Sequence, residues 1–199
     1  MRLYYSPGAC SLASHIVAKE AGLDVALDKI DMKEKRTSSG RDYRAINSQG
    51  SVPAIELDSG EVLTENAVVM QYLASLAPNS GLAPGEGMAH WRVLETVNFI
   101  ATELHKGFSP LFKKPNDEVR AATVNNIQSR FGLLEGKLGD KPHLNGEQFT
   151  IADAYAFVIL TWARKFEIAL SPKLQAYFQR IIARPAVQQA LTEEGLPTS

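Results

Sequence analysis

The period of the hydrophobic positions changes near residue 80 and divides the chain. Before that point short apolar runs alternate with single helical stripes. The aromatic-rich run at 2–5 predicts a strand and Ser6-Pro7-Gly8-Ala9 a turn. Leu12, Ala13, Ile16 and Val17 then recur on one face of a helix over about 11–21, stopped at Gly22. A second strand falls within 25–31. Its alternation is imperfect, because Val25 and Leu27 match while Ile30 is out of phase. Residues 33–50 are polar and irregular, with at most a short helix near 42–46. The runs at 52–57 and 61–64 flank Asp58-Ser59-Gly60 and predict a hairpin. A helix follows over about 66–77, with Ala67, Met70, Leu73 and Ala74 at helical spacing. The order is β-α-β-(α)-β-β-α.

Residues 78–87 hold three glycines and two prolines without periodicity, which marks a boundary. Beyond it every stripe is helical, at about 88–106, 117–137, 151–166, 173–183 and 186–194. Thr150 and Asp153 form a capping-box variant at the start of the third of these, a purely structural device.

Composition narrows the function. Hydrophobic residues make up 45% of 199 positions, enough for one large domain or two small ones. The formal net charge is −1 and no long basic run occurs, which argues against nucleic acid or an anionic membrane as partner. No stretch approaches the roughly 18 apolar residues of a membrane span. The start, MRLYYSPGACSL, lacks the apolar run of a signal peptide. The single cysteine cannot close an internal disulfide, which fits a reducing, cytoplasmic setting.

That cysteine, Cys10, stands at the first strand–turn–helix junction. Unpaired N–H groups and the positive end of the helix dipole favour a thiolate there, able to attack electrophiles or form a mixed disulfide. The alternative is a small buried apolar side chain. Cys10-Ser11-Leu12-Ala13 is not a CxxC, which excludes an intramolecular dithiol reductase. Val52-Pro53 opens a strand and is a candidate cis bond. Glu65-Asn66 opens a helix directly after a strand, where backbone N–H groups suit a carboxylate. Asn98, Thr102 and His105, spaced four and three apart, share one helix face, with Glu103 beside them. On sequence alone that stripe reads first as a solvent-facing one. Lys35 lies in the charged run 31–36, where Lys33 and Arg36 are equivalent candidates. His15, His90 and His143 show no metal-ligand spacing, so no metal is expected. Trp91, Trp162, Phe108 and Phe166 fit a helical core, with the wall of an apolar site as the alternative.

The element order, the thiol at the first helix and the proline opening the third strand resemble the thioredoxin fold. Five segments extend the likeness: YYSPGACSLASHI at 4–16, NSQGSVPAI at 47–55, LTENAVVMQYL at 63–73, NFIATELHKGFSP at 98–110 and FTIADAYAF at 149–157. With these, in this order, the chain resembles the cysteine-containing, bacterial beta class of glutathione S-transferases from residue 1 to about 197. The resemblance implies an α/β thioredoxin-like N-terminal domain (βαβαββα) over 1–80, a linker at 81–87 and an all-α C-terminal domain over 88–199. It implies a homodimer that conjugates glutathione to small electrophiles, glutathione being a co-substrate and not a cofactor.

The resemblance also implies roles. Cys10 and His105 would be catalytic, with His105 beside the reacting sulfur as a base or charge partner. Val52 would offer its backbone to the cysteinyl unit of glutathione, a short β-augmentation. Glu65 and Asn66 would take the γ-glutamyl carboxylate, although relatives often carry Gly or Ser at position 66. Lys35 would take the glycyl carboxylate. Asn98, Thr102, Glu103 and Leu104 would line the glutathione site, some of them from the facing subunit. Tyr5, Ser11 and Lys106 are secondary candidates, the two hydroxyls as alternative donors to the sulfur. Cys10 would form a mixed disulfide with glutathione or hydrogen-bond to its sulfur during conjugation. Two other readings stand beside this one: a non-catalytic ligand- or protein-binding member of the fold, and a monothiol glutaredoxin-like reductase.

Overall fold

The structure is a computed structural model that describes residues 1–199. Strand β1 (Arg2–Tyr5) leads through a turn into α1 (Ser11–Glu20), then β2 (Ala26–Asp31) and a two-residue β3 (Arg36–Thr37). A 3-10 turn at Tyr43–Ala45 precedes β4 (Ala54–Glu56), β5 (Val62–Thr64) and α2 (Asn66–Ser75). The five strands form one mixed sheet in the order β3-β2-β1-β4-β5. β1 runs parallel to β2, with Leu3 opposite Leu27, and antiparallel to β4, with Leu3 opposite Ile55. β3 is an edge strand that the polar composition of 33–50 gave no reason to expect.

The out-of-phase Ile30 has a simple cause. The sheet is covered on both faces, so strand residues of either parity are buried. Leu3 and Ile55 enter the main core, with Leu27 packed against its margin. Tyr4, Ile30, Tyr43, Val52 and Ala54 form a smaller cluster. Asp28 is buried as well. Its carboxylate accepts from the Ser38 N–H at 3.0 Å, the Ser38 hydroxyl at 2.7 Å and the Ser39 hydroxyl at 3.0 Å.

The remaining helices are α3 (Gly87–Phe99), α4 (Asp117–Leu138), α5 (Ile151–Lys165), α6 (Pro172–Ile182) and α7 (Pro185–Glu194). The single long helix expected to run to residue 106 is not one regular helix. α3 ends at Phe99, Ile100–His105 forms a π-helical segment and Lys106–Phe108 a 3-10 turn. α5 is buried nearly all round, with Ile151 to Leu160 inside the core. It starts on the expected capping box: Asp153 accepts from the Thr150 N–H at 2.8 Å and the Thr150 hydroxyl at 3.0 Å. The same carboxylate takes the Leu144 N–H at 2.9 Å and the Tyr177 hydroxyl at 2.7 Å. Trp91 does not belong to the core; it is 60% exposed on α3, one turn from Met88 at 64%. No helix is long and apolar enough to cross a membrane.

Candidate active site

A cavity of about 520 Å³ lies between the β1–α1 turn, the start of β4, the start of α2 and the helices α5 and Ile100–His105. Of the expected site residues it is lined by Cys10, Val52, Glu65, Asn66, His105 and Lys106, with Pro53 beside Val52. Segments far apart in the chain therefore meet there.

Cys10 occupies the N-cap position of α1. Its thiol donates to the Val52 carbonyl at 3.2 Å. The Val52-Pro53 bond is cis. The expected thiolate is not what this environment favours. Burial, with a smaller contribution from Glu65, pushes the thiol pKa up to about 12. The backbone N–H groups of Cys10 and Ser11 and the charge of Lys106 act the other way without prevailing. Desolvation of the charged form outweighs the helix end here.

His105 reaches the cavity because its helix changes pitch. In a regular α-helix it would share the stripe of Asn98 and Thr102. The i→i+5 pitch of the π segment rotates it away, and both of those residues are exposed while His105 is half-buried. Its Nδ1 lies 2.5 Å from the Tyr155 hydroxyl. Its ring packs edge-on against Trp162 with centroids 5.0 Å apart. Burial, helped by the positive charge of Lys106, lowers its pKa to about 4, so the imidazole is neutral near pH 7.

Glu65 precedes α2 with a φ of 67°, a left-handed conformation that few side chains adopt. Asn66 begins the helix and is buried; its Oδ1 accepts from the Ser14 hydroxyl at 2.8 Å. Its amide nitrogen has no partner at full hydrogen-bonding geometry.

The other expected residues lie elsewhere. Asn98, Thr102, Glu103 and Leu104 do not line the cavity of their own chain. The Thr102 hydroxyl donates to the Asn98 carbonyl at 3.1 Å, and Glu103 pairs with Arg130 at 3.0 Å. Leu104 is fully buried in the helical core and offers no side chain to a ligand. The Lys35 ammonium donates to the Gly50 carbonyl at 2.8 Å, outside the cavity lining. Neither alternative hydroxyl reaches the cavity. Tyr5 is buried against the His15 ring, and the fully buried Ser11 hydroxyl donates to the Ser6 carbonyl at 3.3 Å. The three other histidines are also engaged. His15 lies between Glu193 at 2.8 Å and Glu194 at 3.1 Å, while His90 and His143 each bond a backbone carbonyl.

Sequence reasoning missed Tyr155 and Phe112. Both line the cavity with Trp162, whose ring is 5.1 Å from that of Phe112 and whose Nε1 donates to the Gly8 carbonyl at 2.8 Å. The one available signal was Tyr155 itself, a large side chain with a polar tip among Ala152, Ala154 and Ala156.

Residues 8–76 match the family described as glutathione S-transferase, N-terminal domain, and residues 99–185 match glutathione S-transferase, C-terminal domain. Glutathione S-transferase GstA of Escherichia coli O157:H7 is 44% identical over 200 residues, covering 98% of this chain and 100% of that one. A sphingomonad glutathione S-transferase solved in complex with glutathione superposes with a TM-score of 0.94 at 42% identity, covering 99% of this chain and 100% of that one. A beta-class glutathione S-transferase of Sphingomonas chungbukensis gives 0.94 at 40% identity with the same coverage. With a thioredoxin-like domain carrying the thiol and a helical domain closing the cavity over it, the chain belongs to the glutathione S-transferase family, among its bacterial beta-class members.

Proposed function

We propose that the cavity binds glutathione along the Val52 backbone and joins its sulfur to small, mainly apolar electrophiles, which release their leaving group. The observation that carries this reading is the meeting of Val52, Glu65-Asn66, Cys10 and His105 in one cleft. Glutathione is an extended tripeptide with a carboxylate at each end. A backbone edge takes its centre, and the N-terminus of α2 takes the γ-glutamyl carboxylate. Lys35 takes the glycyl carboxylate by leaving the Gly50 carbonyl, to which its flexible stem now ties it. Trp162, Phe112 and Tyr155 supply an aromatic wall for the electrophile.

His105, neutral and beside the sulfur, acts on the reacting atom. Cys10 adds thiol–disulfide exchange: its sulfur bonds to one sulfur of a glutathione disulfide and releases the other as glutathione thiolate, and a second thiol later regenerates it. Exchange requires Cys10 to leave the Val52 carbonyl and to ionise, which slows it relative to conjugation. Two copies form a homodimer in which Asn98, Thr102 and Glu103 of each face the neighbour's glutathione, consistent with their lying outside their own cavity.

Parallel assays with a chlorinated aromatic, a glutathione mixed disulfide and a hydroperoxide test this reading. Conjugation in the wild type that survives in part in Cys10→Ala, with exchange lost, is the expected pattern. Glutathione binding with no turnover of any of the three would replace it with a non-catalytic binding protein.

A further inference from the structure

The Tyr155 hydroxyl is a polar group at the cavity that neither the expected site residues nor glutathione binding accounts for. The residue is 2% exposed. Its oxygen lies 2.5 Å from Nδ1 of His105, the only hydrogen bond that the imidazole makes within the chain. On the phenol's other flank stands Asn66. Its Oδ1 accepts from the Ser14 hydroxyl, and its amide nitrogen has no hydrogen-bond partner within the chain. The phenol oxygen thus has one hydrogen-bond partner within the chain, His105, a group that can either donate or accept.

We propose that Tyr155 is the positioning residue of the site, donating its hydroxyl proton to Nδ1 so that His105 presents Nε2–H, and not a lone pair, to the reacting sulfur. Two facts of chemistry select this arrangement. A phenol is a stronger acid than a neutral imidazole N–H, and an imidazole nitrogen is a better acceptor than a phenol oxygen. The one hydrogen-bond partner of the hydroxyl within the chain is Nδ1 of His105, so the proton is directed there. The phenol stays neutral, since burial raises its pKa well above the ordinary value, and so it keeps the proton it donates.

The consequence is mechanistic. A neutral imidazole protonated at Nε2 cannot take a proton at that atom. It stabilises the glutathione thiolate by a hydrogen bond, in the manner of a pre-set oxyanion donor, and the sulfhydryl proton leaves to water at the cavity mouth. Of the two roles open to His105, base or charge partner, the second is selected. No proton passes between Tyr155 and His105 during turnover.

The inference rests on the reading of His105 as the group beside the sulfur, and the tests separate the two. Nitrogen NMR of the whole wild-type protein with labelled histidine reports the tautomer without any variant, His105→Ala serving only to assign the signal. An unprotonated Nδ1 and a protonated Nε2 near neutral pH are expected; a protonated Nδ1 overturns the proposal even if His105 matters for turnover. Kinetics give the second test. Tyr155→Phe should lower kcat on the order of ten-fold with the glutathione KM nearly unchanged. His105→Gln places an amide N–H near the Nε2 position and has no tautomer to set. In that background Tyr155→Phe should cost less than about two-fold, a coupling that a purely structural role would not produce. Equal losses in both backgrounds overturn the proposal. Unchanged kcat in His105→Ala would instead defeat the reading of His105 itself, whatever the tautomer.

Discussion

The Cys10 thiol donates to the Val52 carbonyl across 3.2 Å, which ties the cysteine of the first helix to the backbone edge beside the cis-proline. The bond holds the sulfur as a thiol, because a carbonyl oxygen accepts a proton and repels a thiolate.

Cys10 should therefore be slow to alkylate near neutral pH. Its pKa is raised from 9.0 to about 12 by burial. The folded state binds this proton more tightly than the unfolded chain does. Its contribution to stability is complete below the ordinary thiol value and is lost as pH rises through about 12. Rates of iodoacetamide modification across pH check this, and fast reaction near pH 7 would contradict it. Prolonged incubation with glutathione disulfide should add about 305 Da, one glutathionyl group, to the wild type and nothing to Cys10→Ala.

His105 has the opposite sign. Burial lowers its pKa from 6.5 to about 4, so the folded state disfavours the proton that the unfolded chain accepts. The associated stability is present above about 6.5 and is lost as pH falls through about 4. Melting curves over that range should fall less steeply for His105→Gln than for the wild type. The rate profile for conjugation should show no inflection near 6.5 from this residue. An inflection there that His105→Gln abolishes would mean that the imidazole titrates normally.

Met88 and Trp91 leave an apolar strip on α3 at 64% and 60% exposure. With the proposed pairing of two chains of 21.8 kDa, sedimentation should give about 44 kDa. Trp91→Glu should weaken the dimer roughly ten-fold or more, since a buried aromatic anchor is exchanged for a charge. A dimer of unchanged affinity would place the interface elsewhere.

Asp153 is fully buried and accepts from the N–H groups of Leu144 and Thr150 and from the hydroxyls of Thr150 and Tyr177. Asp153→Ala strands these donors and should cost about 3–5 kcal/mol. Thr150→Ala removes only the cap hydroxyl and should cost about 1 kcal/mol. Urea denaturation compares the two, and equal losses would deny the carboxylate its central place.

The sequence by itself determined the parts of this protein that depend on neighbours along the chain. The strand–turn–helix junction at Cys10, the hairpin about Ser59, the Thr150–Asp153 cap and the helices after residue 87 follow from turn residues, caps and periodicity, whose physics spans a few residues. The five-segment resemblance carried the family and most of the residues that meet at the cavity. Tertiary structure alone decided the rest. The Cys10 thiol is raised and not lowered because desolvation sums over every group packed around it, and no local signal reports who those groups are. His105 enters the cavity while Thr102 does not, because the packed helices impose a π-helical pitch that the residue spacing does not encode. Tyr155 became part of the site because α5 crosses above α1 and α2, bringing a residue 145 positions from Cys10 into the same cleft.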